Sequence, residues 1–240
     1  MSFQVKADKQ QKEVCIDELC DGIEKIDVVS NVKEKSDIDF FKKAGEEWVR
    51  DNILNNKLKL TEPGSLTFAL FGPTPSRQSI SIKFGKFGEF IFKKIVENTQ
   101  DLELLKCGVQ IIDDKEKQKD IDMIWVDKQK KTIRYRELKG NIEMDSEKIP
   151  AMILKIKDEI APCIKKIYPQ YKDFNVDIGI LAWGVYNNVG LKKGINQIDT
   201  CNKQGVKVDH VEDFFKLVNL DWKKNDYNEY IRSLGNMIGY

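Results

Sequence analysis

The sequence predicts an α/β fold: a mixed central sheet flanked by helices, with a helical extension at the N-terminus. Three stretches of the 240-residue chain carry this expectation. Residues 119–141, KDIDMIWVDKQKKTIRYRELKGN, place two β-favouring runs on either side of a charged turn, the pattern of a β-hairpin. Residues 176–186, VDIGILAWGVY, are the most apolar run, and apolarity without alternation predicts a strand buried on both faces, as in a parallel sheet. Between them, Ile149, Met152, Ile153, Ile156, Ile160, Ile164 and Ile167 recur every three or four residues, the stripe of a long amphipathic helix.

The elements follow in order. Residues 10–26 read as a helix through Val14, Ile16, Leu19, Ile23 and Ile26, and 28–35 as a loop. Ser36 or Asp37 can cap a second helix, 37–55, with Phe40, Phe41, Ala44, Trp48, Val49 and Ile53 near helical period. Residues 57–61 and 65–71 are expected as strands around the turn signal Glu62-Pro63-Gly64. Residues 72–79 hold two prolines and a glycine, and are expected as a rigid loop with Arg77 and Gln78 at its tip. The third helix, 83–98, sets Phe84, Phe87, Gly88, Ile91, Phe92 and Ile95 on one face; Gly85 and Gly88 allow another backbone to approach. A strand at 106–112 and a charged loop at 113–119 lead into the hairpin. The long helix starts at Asp145 or Ser146, accepts Pro150 in its first turn and kinks at Pro162. After the buried strand come a polar loop at 187–205, a short strand at 206–208, a helix at 211–218 and a last helix at 222–240. Residues 1–82 form the extension and 83–240 the core of one compact domain.

Composition limits the function classes. Hydrophobic residues at 41% and aromatics at 10% exclude a disordered chain. No run approaches the ~20 apolar residues of a membrane span, so no membrane partner is expected. The start, MSFQVKADKQQKEV, lacks the apolar segment of a signal peptide. Five cysteines, an odd number with no CxxC pair, predict free thiols in a reducing cytoplasm. The net charge of +1 neither announces nor excludes a nucleic-acid partner, because the distribution of charge matters more than its sum. A single histidine, His210, argues against histidine-rich zinc sites, HNH-type nucleases and Ser-His-Asp hydrolases; it is expected at a strand end.

The hairpin carries the chemistry. Antiparallel pairing brings Asp120 and Asp122 beside Glu137 and Lys139, and the last two share a strand face. Two or three carboxylates and an ammonium then surround one point. Carboxylates of this kind bind Mg²⁺, which acidifies a bound water and neutralises charge on a phosphate.

Asp122 followed by Glu137-Leu138-Lys139 resembles the motif of the PD-(D/E)xK nucleases, whose fold is restriction-endonuclease-like. The expected order over 83–210 (helix, three strands, helix, two strands) is similar to that family's core. The chain departs from the motif at Ile121, where the family has proline, and at Arg134 and Arg136, where it favours apolar residues. The resemblance implies a Mg²⁺-dependent, sequence-specific endonuclease of double-stranded DNA, like the orthodox type II restriction enzymes, leaving 5′-phosphate and 3′-hydroxyl ends. Asp122 and Glu137 would hold Mg²⁺, with the Leu138 carbonyl as a further ligand. Lys139 would position or activate the water, and Glu89, on the preceding helix, would add an acid. Cutting both strands implies a homodimer on a palindromic site. Base reading would fall to Arg77 and Gln78 in the first loop, and to Lys192, Lys193, Asn196, Gln197 and Asn202 in the second, because these side chains pair with base edges. Two alternatives stay open: a resolvase or repair nuclease of the same fold, and a non-catalytic nucleic-acid-binding protein.

Overall fold

Residues 38–55, 60, 62–71, 73, 74, 76–112, 116–140, 147–184 and 192–238 are described by a computed structural model. The chain divides into Met1–Glu34 and Lys35–Tyr240, and every described residue belongs to the second unit. The helix expected at 10–26 lies outside the described residues, as does most of the strand expected at 57–61.

Helix α1 (Ile38–Val49) runs on through one π-turn, Arg50–Leu54, and buries Phe41, Val49 and Ile53 of its predicted stripe, whereas Phe40, also placed on that stripe, is exposed. The expected strand at 65–71 is instead a short helix, α2 (Leu66–Phe71). A short apolar run does not by itself separate strand from helix. Ser65 decides here, because its Oγ accepts from the Phe68 N–H at 3.1 Å and caps the first turn. The expected loop around Arg77 and Gln78 is a second correction. Both residues lie in the first turn of α3 (Arg77–Asn98), which begins six residues before the expected position 83. Ser76 is its cap, accepting from the Ser79 N–H at 3.2 Å, so the prolines end before the helix rather than preventing it.

Among the described residues, seven strands follow in two sheets. β1 (Leu102–Leu104), absent from the sequence reading, pairs antiparallel with β4 (Met123–Asp127) and forms one edge of the main sheet. The strand expected at 106–112 is not part of that sheet. It is β2 (Gly108–Ile111), paired with β3 (Gln118–Ile121) in a separate two-stranded ribbon. Gly108, at φ 88°, turns the chain out of the main sheet there. The expected hairpin is present: β4 pairs antiparallel with β5 (Thr132–Lys139), from Met123 opposite Arg136 to Asp127 opposite Thr132.

The long helix is present as α4 (Lys148–Leu154), a π segment (Lys155–Ile160) and α5 (Ala161–Ile167). Pro162, which has no N–H to donate, follows the π segment, so the expected disturbance takes the form of a change in hydrogen-bond register. β6 (Asn175–Ala182) lies parallel to β5 along its whole length and parallel to β7 (Lys207–His210) on its other side. The sheet order is β1-β4-β5-β6-β7, a mixed sheet with the hairpin's second strand and the apolar strand at its middle. The polar stretch expected as a loop at 187–205 is corrected to a helix, α6 (Lys192–Lys203), over its described part. Its sparse apolar residues, Ile195 and Ile198, did not announce a helix; Gln197 and Cys201 are nonetheless buried in it. α7 (Val211–Leu217) and α8 (Lys224–Ile238) complete the chain, and the His210 N–H is held by Asp213 Oδ2 at 3.1 Å where β7 passes into α7.

Helices cover both faces of the main sheet. Met123, Trp125, Leu138, Leu181 and Trp183 pack against α1, α3, α7 and α8 through Phe41, Phe87, Phe92, Phe214 and Tyr227. Ile124, Val126, Ile133, Tyr135 and Ile180 pack against α4 and α5 through Ile149, Ile153, Ile160 and Ile164. Gly88 is needed for the first layer because a Cβ there would enter the Trp183 indole, whereas a Cβ on Gly85 meets nothing within 4 Å. Of the two glycines expected to allow close approach, only Gly88 does so, and toward a side chain.

Candidate active site

Residues alternate along β5. Tyr135, Glu137 and Lys139 point toward the α4 side of the sheet, and Arg134, Arg136 and Leu138 toward the other. Glu137 is only 4% exposed, and its carboxylate is fully engaged. Oε1 accepts from Lys139 Nζ at 2.9 Å; Oε2 accepts from Tyr135 Oη at 2.6 Å and from Lys155 Nζ at 2.7 Å. Burial alone would raise its pKa, but the ammoniums of Lys139 and Lys155 outweigh burial and hold it below the ordinary carboxylate range. Lys139 is its mirror. Burial favours the neutral amine, yet Glu137 beside it, with Asp122 and Glu89 further out, keeps the ammonium more firmly protonated than in water.

Asp122 sits in the break between β3 and β4, and its Oδ2 accepts from the Leu138 N–H at 2.8 Å. The motif's first acid is therefore tied to the middle residue of Glu137-Leu138-Lys139. Leu138 meets the site through this N–H, while its side chain lies in the α3-side core. Burial, and then the charge of Glu137, raises the Asp122 pKa to about 6. Asp120 is exposed on β3 opposite Val109, so of the two acids it is Asp122 that reaches Glu137. Glu89 lies on α3 and pairs with Lys93 at 3.2 Å; its charge is felt at Lys139.

Comparison of the chain with protein-family models, curated proteins and solved structures finds no match.

The site opens into a cleft of about 550 Å³ between the end of β5 and the α4 side, lined by Lys119, Glu137, Lys139, Lys148, Lys155 and Glu159 among others. Lys155 and Tyr135 were missed from sequence. Lys155 stands next to Ile156 and three residues after Met152, both buried, so it flanks the helix's apolar stripe, but the stripe alone does not say which part of the sheet it meets. Tyr135 lies two residues before Glu137 and so shares its face, a signal the alternation rule carries.

The residues expected to read bases lie on two helices rather than in loops. Arg77 and Gln78 begin α3; Lys192, Lys193, Asn196, Gln197 and Asn202 lie on α6. Gln197 is 7% exposed. Asn202 is exposed, and its Oδ1 accepts from the Val208 N–H at 3.4 Å.

Among the described residues no group of three or more His, Cys, Asp or Glu side chains converges on one point. Asp122 and Glu137 are close enough for the charge of Glu137 to raise the Asp122 pKa beyond the effect of burial. A divalent cation would relieve this repulsion, with Asp122 and Glu137 as its oxygen donors and with the Lys139 and Lys155 ammoniums competing for Glu137.

Proposed function

We propose that this protein is a Mg²⁺-dependent nuclease of restriction-endonuclease-like architecture that hydrolyses phosphodiester bonds of double-stranded DNA. One observation carries the reading: β5 brings Glu137 and Lys139 into the lining of a lysine-rich cleft, and Asp122 is hydrogen-bonded to the Leu138 N–H between them. Asp122 and Glu137 would hold the ion. Mg²⁺ there supplies positive charge against the scissile phosphate and a more acidic water. Lys139 enters the reaction as a cation, because Glu137 keeps it protonated. It orients the attacking water and stabilises charge that grows on the phosphate in the transition state. The Leu138 N–H fixes the rotamer of Asp122, and Tyr135 and Lys155 fix that of Glu137. The family resemblance adds sequence-specific cutting of the type II kind, with 5′-phosphate and 3′-hydroxyl ends.

The test is cleavage of supercoiled and linear DNA with Mg²⁺, run with Asp122→Ala, Glu137→Gln and Lys139→Ala beside the unaltered protein. Discrete fragments from the unaltered protein alone support the reading. DNA binding without cleavage by the unaltered protein in Mg²⁺ or Mn²⁺ would instead favour a non-catalytic DNA-binding protein.

A further inference from the structure

Lys155 occupies a position that no sequence motif assigns. It is the first residue of the π segment, and π-turns inside helices gather at functional sites. Its side chain is 22% exposed, held at one end by Glu137 and lining the cleft along its length. Four lysines (Lys119, Lys139, Lys148 and Lys155) line this cleft against the carboxylates of Glu137 and Glu159, and Ala151, Met152 and Leu154 give it an apolar floor. Glu159 is itself occupied by Lys119 at 2.6 Å and Lys117 at 2.7 Å, so it fixes the lysine rim from behind. A volume of about 550 Å³ exceeds what one small ion needs. Ammoniums above an apolar floor match a chain that alternates phosphates with sugar rings.

We propose that this cleft holds the sugar–phosphate backbone of a DNA strand beside the bond to be cut, with Lys155 and Lys148 as phosphate-binding residues. The inference rests on the nuclease reading and adds where the strand runs: along α4 and the π segment, on the sheet face away from α3. Without DNA, the Lys155 ammonium neutralises Glu137. With DNA in the cleft, the same ammonium is within reach of a phosphate neighbouring the scissile one. Contacts of this kind carry no base information, so they act on every sequence alike.

The test is fluorescence anisotropy of a labelled duplex oligonucleotide with Ca²⁺ in place of Mg²⁺, at stepped NaCl concentrations, beside a cleavage time course in Mg²⁺. Each lost phosphate contact lowers the slope of log affinity against log salt by about 0.9 on duplex DNA. Lys155→Gln and Lys148→Gln are each expected to lower the slope by about that amount, and Lys155→Arg to restore it. Lys216→Gln, on α7 outside the cleft, is expected to leave the slope unchanged. A merely structural Lys155 would change the affinity or the melting temperature without moving the slope. If Lys155→Gln fails to fold, the exposed Lys148 decides alone. An unchanged slope in the folded lysine variants, with the unaltered protein still binding and cutting, overturns the cleft assignment and leaves the nuclease reading standing. An unaltered protein that neither binds nor cuts DNA overturns the nuclease reading itself.

Discussion

Asp122 is held in a state that costs the fold and serves the site. Its pKa stands near 6 in the folded protein against about 3.8 ordinarily, so the folded chain keeps a proton that the unfolded chain gives up. Stability from this residue is therefore full below pH 4, falls between about 4 and 6, and stays lower above; the difference is at most about 3 kcal/mol. Glu137 acts oppositely. Its lowered pKa gives stability above about pH 4.5 that is lost as pH falls through its folded value. Asp122→Asn, which keeps an acceptor for the Leu138 N–H, should thus abolish cleavage yet raise the urea midpoint at pH 8, with the gain vanishing near pH 4. A midpoint gain of equal size at both pH values would mean that charge is not the cause. Glu137→Gln and Lys139→Ala should each slow cleavage at least about 100-fold while changing DNA affinity in Ca²⁺ little, because their work is done in the transition state. Lys139→Ala cutting at the unaltered rate would remove the lysine from the mechanism.

Elements that a face-wide apolar pattern specifies were legible: α1, the hairpin, the α4–α5 stripe and the buried β6. Those that rest on a single side chain were not. Ser65 and Ser76 turn two stretches into helix starts, and neither serine stands out in a run rich in turn residues. α6 buries Gln197 with Cys201, so a polar residue occupies its inner face and hides the period. Within the site, Asp122, Glu137 and Lys139 were readable because strand alternation and hairpin pairing are arithmetic. Lys155 was not, because it enters from a helix whose docking onto the sheet no local rule gives. The two glycines of α3 make a paired prediction. Gly88→Ala drives a methyl into Trp183 and should cost about 1–3 kcal/mol. Gly85→Ala fills open space in an exposed turn and should gain about 0.5–1 kcal/mol. Thermal melts read both, and equal effects would contradict the packing described for Trp183.

At the scale of the molecule, a cutter of duplex DNA with one site per chain is expected to act as a two-fold dimer. Sedimentation should give a dimer with DNA present; a monomer both free and bound would point instead to nicking or resolving activity. The main sheet leaves little edge for such an assembly, since β1 has three residues and β7 four. The N-terminal stretches that the sequence reads as amphipathic helices are candidates for the contact.

The reverse face of β5 has its own consequence. Arg136 is wholly buried there, stacked 5.9 Å from Trp125, with Nε 2.6 Å from Asp209 Oδ2 and Nη2 3.0 Å from Asp177 Oδ2, while Arg134 also pairs with Asp177. Gly179 is needed first for the neighbouring strand, since a Cβ there would lie 2.5 Å from the Lys207 carbonyl oxygen, and it would also lie 3.3 Å from the guanidinium Nε. One strand thus carries ions on both sides. A purely apolar strand can slide by two residues and still bury grease against grease. Here such a slip is expected to cost more, because it would move Arg136 off Asp209 and pull Glu137 from Lys155. Charge matching is therefore expected to favour the observed register of the sheet. Arg136→Met should accordingly cost about 3–5 kcal/mol, because Asp177 would keep only Arg134 and Asp209 only Lys207 as a cationic partner. Refolding from urea at pH 7 should yield more misassembled protein for that variant than for the unaltered chain, as read by light scattering.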